Sequence, residues 1–488
     1  MFLAMLRVNV SFPSGSGETL SLPEHSKVRD LKLLAQKTFK KGFLKLVTVG
    51  GNVLTNLTDS LQTAGVQDGD YLMAVVQPAK IAASDSVFAL WCGGGNQVVT
   101  WGDPRWGADC SAVKRQLKNV EQIQVTGGAF AAILTDGSVV TWGNPGRGGN
   151  CSAVQDQLRN VQQIQATHEA FAAILADGSV VVWGHPHCGG DCSAVKDQLG
   201  KVQQIQATES AFAAILADGS VVCWGRGADC SALQDQLRNV REIQATFSAF
   251  AAILADGSVV AWGIPSSGGD CSAVQDQLRN VERIQATASA FAAILVDGSV
   301  VAWGNPRCGG DCSAVQDQLK NVQQIQATGS GAFAAILADG SAVTWGSPNF
   351  GGDCSALQDN LRNVQQIQAT CKAFAAILAD GLVVAWGDPD FGGDCSAVQD
   401  QLRNVQEIQA TSRAFAAILA DGSVVAWGDP GFGGDCSAVQ DQLRNVEQVH
   451  ATKYGAFAAI LADGSVVAWG HPENGGDYST VQNQLLHL

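Results

Sequence analysis

Asn404-Val-Gln-Glu-Ile-Gln-Ala-Thr-Ser-Arg-Ala-Phe-Ala-Ala-Ile-Leu-Ala-Asp-Gly-Ser-Val-Val-Ala-Trp-Gly428, followed by Asp-Pro-Gly-Phe-Gly-Gly-Asp-Cys-Ser-Ala-Val-Gln-Asp-Gln-Leu443, is the stretch that decides the fold. Its Trp-Gly pair recurs at Trp101, Trp142, Trp183, Trp224, Trp262, Trp303, Trp345, Trp386, Trp427 and Trp469, at intervals of 41, 41, 41, 38, 41, 42, 41, 41 and 42 residues. A fixed period of this length means one supersecondary unit copied in tandem. Such units cannot bury their apolar faces alone, so the array folds as one object.

Within a copy, Ile408 and Ala410 alternate with Gln409 and Thr411, which predicts strand A over Val405 to Thr411. Phe415 to Leu419 reads as strand B, Asp421-Gly422 as a hairpin turn and Ser423 to Trp427 as strand C. Strand C is apolar on both faces, as in a sheet covered on both sides. Gly428 and Pro430 stop it. Ser437-Ala-Val-Gln440 has the spacing of a capping box, Ser437 as N-cap, and predicts a short helix to Leu443. Three-stranded meanders packed around an axis make a β-propeller, and the Ala pairs of strand B let sheets approach closely. The expected architecture is mainly β: a propeller-like array of about ten three-stranded repeats with short helical connections over residues 78–488, or an open spiral of the same repeats. The first copy is degenerate. Lys80 to Ser84 stands for strand A, Val87 to Leu90 for strand B, and Cys92-Gly-Gly-Gly-Asn96 replaces the Asp-Gly turn. The last copy ends in a helix expected over Ser479 to Leu486.

Residues 1–77 read differently. Leu6, Val8 and Val10 alternate, a turn follows at Ser14-Gly-Ser-Gly17, then come Leu20 and Leu22. Met1 to Leu6 lacks a basic n-region and is expected to be strand, not signal peptide. Val28, Leu31, Leu34 and Phe39 share one helical face. Leu44 to Val49, Val53-Leu54 and Tyr71 to Val76 supply further strands, around Leu61-x-x-Ala-Gly-Val66-x-Asp-Gly-Asp70.

The net charge of −15 repels phosphate backbones, so nucleic acid is not an expected partner. Apolar runs of about seven residues fall short of the ~20 that span a bilayer, so no membrane partner is expected either. Nine of the 14 cysteines share one slot per copy: Cys110, Cys151, Cys192, Cys230, Cys271, Cys312, Cys354, Cys395 and Cys436, with Tyr478 in the tenth. A buried thiol packs as a small hydrophobe. Equivalent positions in adjacent copies lie too far apart to bridge, so the expectation is reduced thiols in a cytoplasmic or nuclear setting.

Catalytic motifs do not emerge. The seven histidines do not recur with the repeat, and no Gly-x-Ser-x-Gly, P-loop or His-Glu-x-x-His occurs. The expectation is a protein that is not an enzyme and needs no cofactor. His185-Pro-His187-Cys188-Gly-Gly-Asp-Cys192 has the residue types of a zinc site. Cys192 belongs to the repeated slot, however, and the sister loop Cys308-Gly-Gly-Asp-Cys312 lacks both histidines, so no metal site is expected. The recurring Asp of the Asp-Gly pair is expected to be a turn residue, and each Trp an apolar wedge between blades.

Leu-x-x-Val-x-x-Ile-x-Ala, then Ala-x-x-x-Asp-Gly-x-Val-x-x-Trp-Gly and a Gly-rich loop, resembles the regulator-of-chromosome-condensation repeat family. The repeat length is similar to that of the bacterial β-lactamase-inhibitor propeller of that superfamily. The chain departs from the family in having ten copies instead of seven, and Ala-Thr then Ala-Phe where Gly and then His are usual. The order of residues 5–76 resembles ubiquitin-like domains of the β-grasp fold, ending at Gln77-Pro78-Ala79-Lys80 without a Gly-Gly terminus. The resemblance implies a non-enzymatic adaptor of the ubiquitin system: the repeats bind a protein client and the N-terminal domain a ubiquitin receptor or ligase component. The alternative it implies is a guanine-nucleotide exchange regulator of a small GTPase, or a pure scaffold or inhibitor. A ligase of the HECT type would need a C-terminal catalytic domain that is not expected here. By motif matching, the receptor-binding patch would include Val47 and Val75, with Pro13 in the first hairpin loop.

The copies differ mainly in the A–B loop and in the loop after Trp-Gly. An antiparallel meander puts both at one end of the blade, opposite the Asp-Gly turns. Loops on a rigid scaffold concentrate binding residues, and aromatics are typical anchors. The expected client-binding residues are Trp106, Phe247, Phe350, Phe391, Phe432 and Tyr454.

Overall fold

The computed structural model describes residues 4–92 and 97–485. Ten separate three-stranded sheets follow a four-stranded one. In a representative blade, strand A is Val405–Ala410, strand B Ala414–Leu419 and strand C Val424–Gly428. A pairs with B and B with C, both antiparallel. Each A–B pair after the first blade carries a bulge at its start, as between Val405 and Glu407. Strand A faces the axis, and the ends of all ten A strands line one central cavity of about 760 Å³.

Strand B is buried from Ala414 to Ile418 because it is the middle strand of a sheet covered on both faces. Its two faces serve two different interfaces. Ala414, Ala416 and Ile418 pack toward the next blade's Phe457, Ala459 and Trp469, whereas Phe415 and Ala417 pack toward Ala373 and Ala375 of the previous one. Alanine on the facing strand leaves room for the ring of the neighbour. Each Phe stacks on the Trp of its own blade, as Phe415 on Trp427 at 5.2 Å.

The short connection is a 3-10 turn at Ser437–Val439, not an α-helix capped by its serine. Asp435 caps it instead, accepting from the Ser437 amide at 2.8 Å. Gln440 turns the other way: its amide donates to the Val424 carbonyl at 3.0 Å, and its oxygen accepts from the Cys436 thiol at 3.2 Å. The repeated cysteine is therefore a packing residue that also orients this glutamine.

One pair of cysteines departs from the expectation of reduced thiols: Cys223 and Cys230 form a disulfide. The slot cysteine lies against the third residue of strand C in its own blade, where other copies carry Thr141, Ala261 or Ala426. Cys223 occupies that facing position, so the bridge runs within a copy and not between copies.

Residues 4–77 form strands β1 (Met5–Ser11), β2 (Gly17–Pro23), β3 (Leu44–Thr48) and β4 (Tyr71–Val76) and helix α1 (Val28–Phe39). The sheet order is β2-β1-β4-β3, with β1 parallel to β4, as in a β-grasp fold. α1 lays Val28, Leu31 and Ala35 on Leu6, Val8, Leu46 and Leu72. Val53 makes only an isolated bridge to Val47. Parts of three expected elements, Met1 to Leu3, the turn residues 93–96 and Leu486, lie outside the described residues. The terminal helix covers Gln482–Leu485.

The array returns to its beginning. Phe88, Leu90 and Trp101 of the first blade share a core with Ala456, Ile460, Val481 and Leu485 at the other end of the chain. The last A–B loop donates to the first, Tyr454 N to Asp85 O at 2.9 Å. Among the described residues no sheet runs from blade to blade, so side-chain packing and loop hydrogen bonds hold the ring. Phe43, in the loop after α1, is buried in this same seam, and Gly42 lies against Gly464. The N-terminal domain is thus docked over the junction of first and last blades, at the Asp-Gly end. Among the described residues no helix is long and apolar enough to cross a membrane.

Candidate functional site

One end of the ring is uniform. In its Asp-Gly turns the carboxylate accepts from the amide two residues on, as Asp421 from Ser423 at 2.9 Å. The Ser423 hydroxyl, donating to the same carboxylate at 2.6 Å, and then the amide hold the Asp421 carboxyl below its ordinary range, as Ser299 does for Asp297. The turn glycine needs its positive φ and its missing Cβ, because the following copy's Asn445 backbone crosses 2.8 Å from where a Cβ would stand.

The other end carries the variation. In most copies its two loops are pinned together by the threonine that follows strand A. Thr411 Oγ1 accepts from the Ala414 amide at 3.0 Å and donates to the Phe432 carbonyl at 3.1 Å. Thr126, Thr246 and Thr370 do the same with Arg147, Ser267 and Phe391. Adjacent A–B loops are stitched backbone to backbone, for instance His168 N to Glu209 O at 3.0 Å and Ser412 N to Lys453 O at 3.0 Å. This end is a hydrogen-bonded rim on which side chains differ from copy to copy, with loop length changed only at the short connection after Trp224 and at the longer A–B loops Gly329-Ser-Gly331 and Lys453-Tyr-Gly455.

The aromatic residues expected there are interleaved with cations. Lys372 lies 4.3 Å from the Phe391 ring, and Arg413 lies 4.7 Å from Phe391 and 4.8 Å from Phe432. Arg147 covers Trp106 at 4.2 Å, and Lys453 approaches Tyr454 at 5.7 Å. A cation over a ring face is held by the ring quadrupole. Asp388 and Asp429 stand 3.7 and 3.5 Å from Lys372 and Arg413. The six aromatics do not share one environment. Phe247 and Tyr454 are exposed, at 47% and 43%. Trp106, Phe350 and Phe432 are half-buried. Phe391 is 8% exposed and belongs to the core between blades 8 and 9, so the expectation of an exposed ring fails there. Its ring is covered by the two cations it holds. Lys372, Arg413 and Arg147 went unselected in the sequence because a lone cation in a variable loop carries no periodic signal.

At the mouth of the central cavity His168 reaches over Gly127 to Asp85, two blades away, at 3.4 Å. Burial raises the Asp85 carboxyl above its ordinary value, against the pull of Lys453, His168 and Arg147.

On the N-terminal domain, alternation sends Leu44, Leu46, Leu72 and Ala74 inward and leaves Lys45, Val47, Tyr71, Met73 and Val75 on the outer face. Val47 pairs directly with Met73, and Val75 with Lys45. Val47 and Val75 are half-buried, while Tyr71 and Met73 are 65% and 43% exposed. Pro13 is exposed and lines, with Val75, Phe12 and Phe39, a groove of 560 Å³. The three expected patch residues therefore share one side of the domain. Tyr71 and Met73 belong to that face too, and their period of two in β4 could have placed them there.

No family model and no curated protein matches the chain. Solved structures do. Yeast RCC1 (Prp20), in a structure with Kap60, is 16% identical over 70% of this chain and 88% of its own, with a TM-score of 0.36. The computationally designed Ika8 protein is 13% identical over 63% of this chain and 95% of its own, with a TM-score of 0.29. The N-terminal ubiquitin-like domain of the 4931431F19Rik protein is 28% identical over 16% of this chain and 82% of its own, with a TM-score of 0.15.

Proposed function

We propose that this protein is a non-enzymatic adaptor whose ring holds a protein client on its variable rim, while its N-terminal sheet engages a ubiquitin-receptor or ligase component. The observation that carries the reading is the segregation of difference. The Asp-Gly end repeats itself, and the rim alone is varied, rigid and set with aromatic–cation pairs. Rigid rings and arginines bind with little loss of side-chain freedom, which is why such residues dominate interfaces. The outer face of the N-terminal sheet supports the second contact, because Tyr71, Met73 and Val47 form an apolar row beside Lys45.

Titration of the full chain against a ubiquitin-interacting peptide helix tests the second contact. Binding that is lost in Val47→Asp, with an unchanged melting temperature, is expected. Binding retained by the folded variant removes this face from the reading. The client contact is tested by capture with the full chain and with its Lys372→Ala, Arg413→Ala double variant. Recovery of a small GTPase in its nucleotide-free form, lost in the double variant, would replace the adaptor reading with exchange.

A further inference from the structure

The rim of the third blade brings together three side chains that no repeat pattern requires. Glu169 stands in the A–B loop, and His185 and Cys188 frame the 3-10 turn Pro186–Cys188 after strand C. Thr167 fixes the two loops to each other, donating to the Cys188 carbonyl at 2.9 Å. As a result one donor atom from each of Glu169, His185 and Cys188 lies within 4.8 Å of the others. Cys188 Sγ is 3.5 Å from Glu169 Oε2. A sulfur at about 2.3 Å and an oxygen at about 2.0 Å from a tetrahedral zinc ion stand about 3.5 Å apart.

A further observation points to a cation. His185 Nδ1 is buried with no hydrogen-bond partner. In other copies this position holds Asn144 or Asn305, whose side chain caps the turn; His185 makes no such bond. A buried polar atom without a partner is costly. The second carboxylate oxygen of Glu169 is held by Arg147 at 3.5 Å, which orients the first toward the cysteine. His471 also leaves its Nδ1 without a partner in blade 10, but Asn474 stands there in place of a cysteine.

We propose that Glu169, His185 and Cys188 form a site for a divalent transition metal of the zinc class, with a fourth position open to solvent. One nitrogen, one thiolate and one carboxylate suit zinc, and three protein ligands leave a place for water or a partner's side chain. Binding releases the thiol proton and ties the A–B loop to the turn after strand C. The sequence pointed to a different set. Cys192 stays buried in the repeated slot and His187 is exposed, while Glu169 enters from 16 residues before His185 because the fold closes the blade there.

Equilibrium titration of the full chain with Zn²⁺ alone, and with Co²⁺ as a spectroscopic probe, in a non-thiol reductant tests this. One tight equivalent and a thiolate-to-cobalt charge-transfer band are expected. Cys188→Ser, His185→Asn and Glu169→Ser introduce residues that sister copies carry at the same positions (Ser267, Asn305, Ser289), so the fold should tolerate them. Each should weaken binding by at least about tenfold, and Cys188→Ser should abolish the band. Cys308→Ser should change neither. Conversely, Ser289→Glu with Asn305→His beside Cys308 should create a second equivalent. Absence of the band in the native chain, a band that survives Cys188→Ser, or a titration indifferent to His185→Asn and Glu169→Ser would overturn the proposal.

Discussion

The indole nitrogen of Trp101 donates to the carbonyl of Gly475 at 3.0 Å, across 374 residues. Trp142 makes the same bond to Gly107 at 3.1 Å, across only 35. With the exception of Trp262, each repeat tryptophan thus ties its blade to the loop of the blade before it, and the first tryptophan does so to the last loop. The seam is built like an ordinary junction and carries extra cover from the C-terminal segment.

Removing residues 476–488 should therefore destabilise the whole ring. Val481 and Leu485 are buried against the first blade, and Tyr478 packs beside them. Their loss should lower unfolding free energy by about 3–6 kcal/mol. Chemical denaturation of the truncated chain measures this; an unchanged midpoint would mean that the seam does not hold the ring.

Trp262 offers an internal comparison. Its Nε1 is buried without a partner. The preceding connection, Trp224 to Cys230, is the short one and lacks the Pro-x-x-Gly turn whose glycine accepts elsewhere. Trp262→Phe should cost less than Trp303→Phe, which loses its 3.0 Å bond to Gly268, by about 1 kcal/mol. Thermal melts of the two variants decide it.

The same short connection holds the Cys223–Cys230 disulfide. Closing a loop this small stabilises by about 2 kcal/mol in the chain-entropy view. A reductant should lower the melting temperature of the native chain and leave that of Cys223→Ala unmoved, since alanine occupies this position in other blades. Equal shifts in both proteins would exclude the bridge.

Rim aromatics should separate by burial. Phe391→Ser should cost about 3 kcal/mol of stability, because its ring belongs to the core between two blades. Phe247→Ser should stay within about 0.5 kcal/mol. Client binding should instead fall at least about tenfold in the double variant Lys372→Ala, Arg413→Ala. Melting curves and titrations of the same variants separate the two effects.

Lys32, on α1, is buried toward the first blade, and that burial lowers its ammonium from 10.5 to about 8. A folded-state value below the unfolded one gives stability that is present above pH 10.5 and lost as pH falls through about 8. The full difference is about 3 kcal/mol. Lys32→Met should remove this slope. Unfolding free energies of the two proteins at pH 7.5 and pH 10 should differ most at the lower pH.

The repeat period by itself determined the number of blades, the three strands of each, and which end of the blade would vary. These follow from local alternation, turn residues and spacing, which are written in every copy. α1 was legible for the same reason, as one apolar face over Val28–Phe39. Tertiary structure alone decided the rest. The exposure of Phe391 against Phe247 depends on which neighbouring cation folds over the ring. The pairing of Cys223 with Cys230 depends on what faces the slot across the blade. The meeting of Trp101 with Gly475, and of Glu169 with His185 and Cys188, depends on closure of ring and loop. Contacts between residues distant in sequence leave no period to read, because each is made once, by packing.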